Sequence, residues 1–450
     1  ADSGTSGYAG TITVNGPTGG TAADTHRTEL VLQTDQALNS ATINLQGSAN
    51  GPALLVLATE NATIGGLDSN TTAKILRNGT QATTTLLAFN APSLAEKSAT
   101  LTINAKYGSK FNGTIGSKIS LVKDGSGVLT INSSSAEFDG NLTLKNGSVF
   151  LGMSDSLGAM GTLNLTVAGG NQMQSTFGMS TTGSSYTVKT LNLQSGHLNI
   201  SGIGTAGSLE VAADGLTFAG GTGIVMDIGS IQDQLNLNQS VDFGGQRFVL
   251  GLSCFNTQTG TNYTVMRTTG SFSNINDIEL DFQSRGASGT LVLSGENNTI
   301  QVHMLTTGSS SELTWVGTSG NNQWITKGGV DNNTPWTGGA KGDNQFYQND
   351  SVIFGSTGER NVEIVGNVVP NAIRVTGDGY VFGGTGSIIG KGTLYKEGSG
   401  DLTIKTDNSY TGGTVISGGR IILDARDALG SGPITFDGGS LVYGDGVGTD

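Results

Sequence analysis

The chain has 450 residues, 73 of them Gly and only 6 Pro, with 35% hydrophobic and 13% charged residues. This composition excludes a disordered tail and a collagen-like fibre, and it leaves enough apolar residues to build a core. The formal net charge of -13, with no concentrated stretch of Lys or Arg, argues against nucleic acid or an anionic membrane as partner.

Taken in chain order, the predicted elements are short strands. The first residues, Ala1-Asp2-Ser3-Gly4, lack the basic-then-apolar pattern of a signal peptide, as expected of a mature or trimmed secreted protein. Thr11-Ile12-Thr13-Val14, Ala41-Thr42-Ile43-Asn44-Leu45 and Thr162-Leu163-Asn164-Leu165 alternate polar with apolar residues and are bounded by Gly or Asn, the period-two mark of half-buried strands. Helical spacing is sustained almost nowhere, Asp424 to Gly430 being the best short stretch. No apolar run is long enough to cross a membrane as a helix. The chain reads as all-β.

Internal repetition organises these strands. Leu121 to Ile131 (L-V-K-D-G-S-G-V-L-T-I) returns as Leu394 to Ile404 (L-Y-K-E-G-S-G-D-L-T-I), identical at most positions. The match continues downstream: Phe138-Asp139-Gly140 aligns with Tyr410-Thr411-Gly412, and Leu157-Gly158 with Leu429-Gly430. One such unit cannot cover its own apolar face. Stacked as coils of a parallel β-solenoid, successive units bury those faces in one continuous core, with Gly at the corners. At about 22 residues per coil and about 4.8 Å per strand, the result is a rod on the order of 100 Å long.

The segment Gly398 to Leu423 contains N-S-Y-T-G-G-T, with Gly398, Gly400, Asn408, Tyr410, Gly412 and Gly413 at its turns. It closely resembles the passenger-associated transport repeat, also called the autotransporter-associated β-strand repeat. Gly125 to Leu151 resembles a degenerate copy in which Ala136 to Asn141 replace the central motif. Gly215 to Gly221 with Asp233 to Leu237 and Gly260 to Val265, and Leu313 to Gly317 leading to Asp350 to Phe354, also look like parts of these proteins. The resemblance implies a right-handed parallel β-helix stalk. It would be exported across the outer membrane of a Gram-negative-type bacterium by a C-terminal β-barrel of the same polypeptide and placed at the cell surface or outside the cell. The residues from Gly444 to Asp450 lack the alternating aromatic strands of such a barrel.

Three Trp residues fall close together, Trp315, Trp324 and Trp336, with Phe346, Tyr347 and Phe354 after them. Two readings stand. Aromatic faces, with Tyr347 and polar neighbours such as Asn321, Asn322, Gln323, Asn332, Asn333 and Asp343, would suit stacking on a glycan; alternatively the rings pack a small core at a junction between solenoid segments. Packing is the expectation, because large aromatics are scarce core material in a Gly-rich chain. His26, His197 and His303 lack partners at metal-ligand spacing, and Cys254, in an apolar strand-like run, reads as a buried thiol; no metal or cofactor is expected. Asp424 with Asp427, and Asp378 and Asp445 beside Gly, read as turn and surface residues rather than as catalytic or calcium-binding groups.

The expected organisation is a first solenoid segment over 1–305 with the degenerate repeat at about 117–158, a Trp-rich junction or insertion over 306–350, and a second segment over 351–450 with the clear repeat at about 394–430. Ala1 to Thr13 are expected to cap the start. The expected function is a non-enzymatic stalk or adhesin presenting a binding surface to a glycan or host protein. A carbohydrate-active lyase or hydrolase, and a self-associating surface protein, are the alternatives, since parallel β-helices can host grooves along one sheet.

Overall fold

Period-two alternation sends every second side chain of each strand inward. In Ala99–Asn104, Ala99, Leu101 and Ile103 are buried, while Thr100 and Thr102 face out. The inward residues stack in files along the axis: Leu101 lies beside Leu121, which continues to Leu142, Leu165, Leu191 and Leu216 through parallel register. The computed structural model describes residues 10–17, 28–33, 38–49, 51–77, 98–105, 108–125, 127–169, 174–212, 215–327, 334–384 and 386–444. The segment Ala1–Thr13 expected to cap the solenoid lies mostly outside these residues, as do His26, Asn332, Asn333 and Asp445.

The chain is a β-solenoid of about 16 turns. Its first arm has sheets of nine, eight, six, four and two strands, the second sheets of seven, six and two. Among the described strands pairing is parallel along the stack, with antiparallel exceptions at two places. Asn262–Thr268, Thr299–Thr306 and Ser288–Ser294 form an antiparallel run closing the six-stranded sheet, and Glu312–Trp315 pairs antiparallel with Trp336–Thr337. Two hydrophobic cores result: one runs from Val14 to Met304, the other from Leu313 to Leu429.

The arms do not continue as one rod. Gln348 donates its backbone N–H to Gln283 O at 2.9 Å, and Arg285 pairs with Asp350 at 2.8 Å. Further along the second arm, Asp407 accepts the N–H of Gly108 at 2.6 Å, and Arg426 pairs with Asp68 at 2.7 Å. As numbering rises from 348 to 426 on one arm, the contacted residues fall from 285 to 68 on the other. The chain therefore folds back on itself, and the expected single rod becomes a hairpin of two side-by-side solenoids. The nine-stranded sheet of the first arm rises only about 40 Å along its axis.

Candidate functional site

The repeat signature around Tyr410 works between coils. Asn408, buried, accepts the N–H of Ile388 at 2.8 Å through Oδ1 and donates through Nδ2 to Ala428 O at 2.7 Å, so one side chain ties its own coil to the coils on either side. Tyr410 is 1% exposed, and its hydroxyl lies 2.7 Å from Thr414 Oγ1. The glycines of the motif sit where coils touch. A Cβ on Gly412 would come within 2.3 Å of Lys391 O, and Gly398 combines a φ of 72° with a carbonyl 2.4 Å from where its Cβ would be. Gly400 packs against Asp378, and Gly413 has φ 91°. In the degenerate copy Phe138 is buried at the position of Tyr410, and Ser135 Oγ accepts the N–H of Ile115 at 3.0 Å, the role Asn408 plays for Ile388.

Both copies also bury a lysine. Lys123 Nζ donates to the carbonyls of Asp124 (2.9 Å), Gly125 (2.6 Å) and, one coil on, Asn146 (3.4 Å). Lys396 Nζ repeats the arrangement with Glu397 (2.7 Å), Gly398 (3.0 Å) and Gly418 (3.4 Å). Both side chains are wholly inside. Burial pushes the Lys123 amine down to about 7 against a slight upward pull from Asp124, and it lowers Lys396 in the same direction. The repeat alignment by itself does not mark these lysines as buried. The signal was present in the alternation, since Ile119, Leu121 and Lys123 share the inward face.

The three indoles lie in the second core. Trp315, Trp324 and Trp336 are 0%, 0% and 2% exposed, in edge-to-face contact at 4.9 Å (Trp315 with Trp336) and 5.7 Å (Trp324 with Trp336), and Phe346 and Phe354 complete the cluster. Trp315 Nε1 donates to Glu359 O at 2.8 Å. No indole face reaches solvent, so a glycan cannot stack on them; the rings fill the end of the second arm, where strands are short and Gly-bounded. Tyr347 is half-buried under the Arg285 guanidinium, 4.7 Å from its ring centroid, and burial beside Asp343 pushes its hydroxyl up to about 12.

The other nominated residues are structural in their contacts. Cys254 is buried and burial pushes its thiol up to about 11, far from a nucleophile's range. His303 Nδ1 lies 2.6 Å from Asn262 Oδ1, and His197 is half-buried, its pKa lowered chiefly by burial. Asp378 accepts the N–H of Asp401 at 2.8 Å, Asp424 lies 3.3 Å from Lys405, and Asp427 donates its own N–H to Asp407. Among the described residues no group of three His, Cys, Asp or Glu is placed to hold a metal ion. A carboxylate pair that sequence reading missed, Asp227 and Asp233, is 1% and 0% exposed. Asp233 accepts the N–H groups of Gly207 and Asp227, and Asp227 that of Gly204; burial raises both pKa values well above the usual range. Bonded to the backbone of Gly204 and Gly207, the buried pair holds that corner.

The open chemistry lies on the outer face of the nine-stranded sheet. Two files of small polar side chains run across its strands. One comprises Asn61, Thr100, Ser120, Asn141, Asn164 and Thr190; the other, broken once by the apolar Val122, comprises Thr63, Thr102, Thr143, Thr166, Asn192 and Thr217. Side-chain bonds link neighbouring coils: Asn164 Nδ2 to Asn141 Oδ1 at 2.9 Å, Thr190 Oγ1 to Asn164 Oδ1 at 2.9 Å and Thr217 Oγ1 to Asn192 Oδ1 at 3.0 Å. The result is a strip in parallel register that carries both donors and acceptors.

The passenger-associated transport repeat family matches residues 121–149, 288–308 and 394–423. The chain thus carries passenger-associated transport repeats, as autotransporter passengers do. As a passenger it belongs at the surface of Gram-negative bacteria or outside the cell. The first and last matched segments hold the lysine corners; the middle one is the antiparallel hairpin of Ser288–Ser294 and Thr299–Thr306, a repeat-like sequence that closes a sheet instead of adding a coil. Over 65 residues the passenger is 43% identical to a protein called "Adhesin BmaC autotransporter" from Brucella suis biovar 1, a match that covers 14% of this chain and 2% of that protein.

Proposed function

We propose that this passenger is a non-enzymatic adhesive stalk whose contact surface is the Asn/Thr strip of the nine-stranded sheet, offered to host or neighbouring-cell ligands. The observation that carries this reading is the strip itself. Hydroxyl and amide groups repeat at the strand spacing over many coils, on a face whose inner side is fixed by the leucine file, so many weak hydrogen bonds can act together. The name of the Brucella relative supports an adhesive role. A second reading, self-association, draws on the same strip, because amides and hydroxyls that both donate and accept are complementary to a second copy of themselves.

Beads coated with the purified chain are mixed with cells and, separately, with one another. A Thr143→Arg/Thr166→Glu variant places opposite charges on neighbouring strands, keeping the sheet intact while disrupting the strip. Loss of bead–cell adhesion in the variant supports the adhesin, and loss of bead–bead clustering supports self-association. Adhesion and clustering both equal to wild type would overturn the strip as the contact surface.

A further inference from the structure

Between the two arms, at the middle of the hairpin, lies a cleft of about 260 Å³ that neither arm forms alone. Its first-arm wall is the outer face of the eight-stranded sheet, including Thr130, Phe150 and Thr176; its second-arm wall includes Ile389, Asp407 and Asp427. We propose that this cleft binds a neutral sugar unit, such as the terminal or internal pyranose of a glycan.

Three features carry the assignment. The Phe150 ring is half-buried and lines the cleft, with Ile389 opposite, so a flat apolar face is available to the C–H side of a pyranose. Thr176 is 1% exposed, and its hydroxyl has no hydrogen-bond partner among the described residues. A buried hydroxyl left unpaired is unfavourable, and a rotation of the Thr176 side chain, which lines the cleft, would turn it toward a ligand hydroxyl that satisfies it. Finally, Asp407 and Asp427 offer carboxylate acceptors, which sugar hydroxyls suit. Both Asp407 oxygens already take one N–H each, from Asp427 at 3.0 Å and Gly108 at 2.6 Å, and each keeps a second acceptor position.

Charge decides the class. The two carboxylates are matched by Lys110 and Arg426 at the same cleft, and Arg426 is further neutralised by Asp68 at 2.7 Å. An anionic ligand gains little over a neutral one there, whereas a polyhydroxylated neutral ligand meets an acceptor or donor on each side. The volume is at the low end for a ligand pocket and suits one ring rather than an extended chain. The site is separate from the Asn/Thr strip, so it stands or falls independently of the adhesive reading.

The test uses the whole chain and protein-detected NMR, titrated with the methyl glycosides of glucose, galactose, mannose and N-acetylglucosamine, and with glucuronate as the charged comparison. At least one neutral glycoside is expected to shift signals from residues around the cleft, with glucuronate weaker. Thr176→Val removes the unpaired hydroxyl without changing the shape, so melting should hold or rise while affinity falls by about three- to tenfold. Phe150→Ala should weaken binding by about tenfold or more while bead adhesion is unchanged. Absence of shifts with every neutral glycoside, a preference for glucuronate, or binding that survives both substitutions would each overturn the proposal.

Discussion

Arg285 and Asp350 form a buried ion pair at 2.8 Å across the joint of the two arms, with side chains 4% and 0% exposed. The guanidinium also donates to Asp343 O at 2.6 Å and to Gln345 O, and the carboxylate accepts the N–H groups of Ser311 at 2.7 Å and Tyr347 at 3.0 Å. Every nitrogen of the guanidinium and both carboxylate oxygens are thus engaged, and the pair ties the arms where the chain reverses. Removing one partner strands the other charge out of water. Arg285→Met is therefore expected to destabilise the second arm by about 3–5 kcal/mol, most of it the penalty for an unpaired buried Asp350. Urea unfolding followed by Trp fluorescence reads this directly, because all three Trp residues sit in the second core. A change below about 1 kcal/mol would show that the pair sits idle.

The buried lysines give the chain an unusual pH dependence. Lys123 is held down to about 7 in the folded chain against an ordinary 10.5, chiefly by burial. Between these values the folded chain binds fewer protons than the unfolded chain. Stability from this group is then fully present above pH 10.5 and lost as pH falls through about 7. Melting temperature is expected to rise with pH from neutrality towards pH 10, and Lys123→Met to melt with a flatter profile. Equal slopes in the two proteins would show that the amine carries its proton unperturbed.

Much of this architecture is legible in the residues because period-two alternation speaks directly about which side chains face inward. Leu101, Leu121 and Leu142 were predictable as one file once the strands were assigned, and repetition made the stacking parallel. Alternation does not distinguish parallel from antiparallel pairing, however, so nothing marked Ser288–Thr306 as a hairpin. The fold-back was equally silent, since it rests on single polar contacts such as Asp407 to Gly108, far apart in sequence. The Trp cluster was visible as composition, but whether its rings met a ligand or each other depended on which core received them. The cleft needs both arms at once and has no linear signature.

Asn408 provides the sharpest test of what the repeat motif does. Its side chain satisfies a donor on the preceding coil, Ile388 N–H, and an acceptor on the following one, Ala428 O, and also donates to Thr406 O at 3.0 Å. Asn408→Ala leaves these backbone groups buried without partners, each worth about 1–3 kcal/mol, so a loss of a few kcal/mol is expected. Asn408→Asp separates bonding from shape. An ionised carboxylate still accepts from Ile388 but turns a second oxygen towards the carbonyls of Ala428 and Thr406, where only a donor fits. Protonation restores that donor, so the introduced carboxyl has a raised pKa in the folded chain, and the variant should regain stability as pH is lowered. Thermal melting of the two variants at pH 4 and pH 8 distinguishes the cases. Asn408→Asp should approach the wild type at the lower pH while Asn408→Ala gains nothing relative to it; parallel behaviour of the two variants would mean that the motif holds the coils by packing of Tyr410 and its glycines rather than by this bridge.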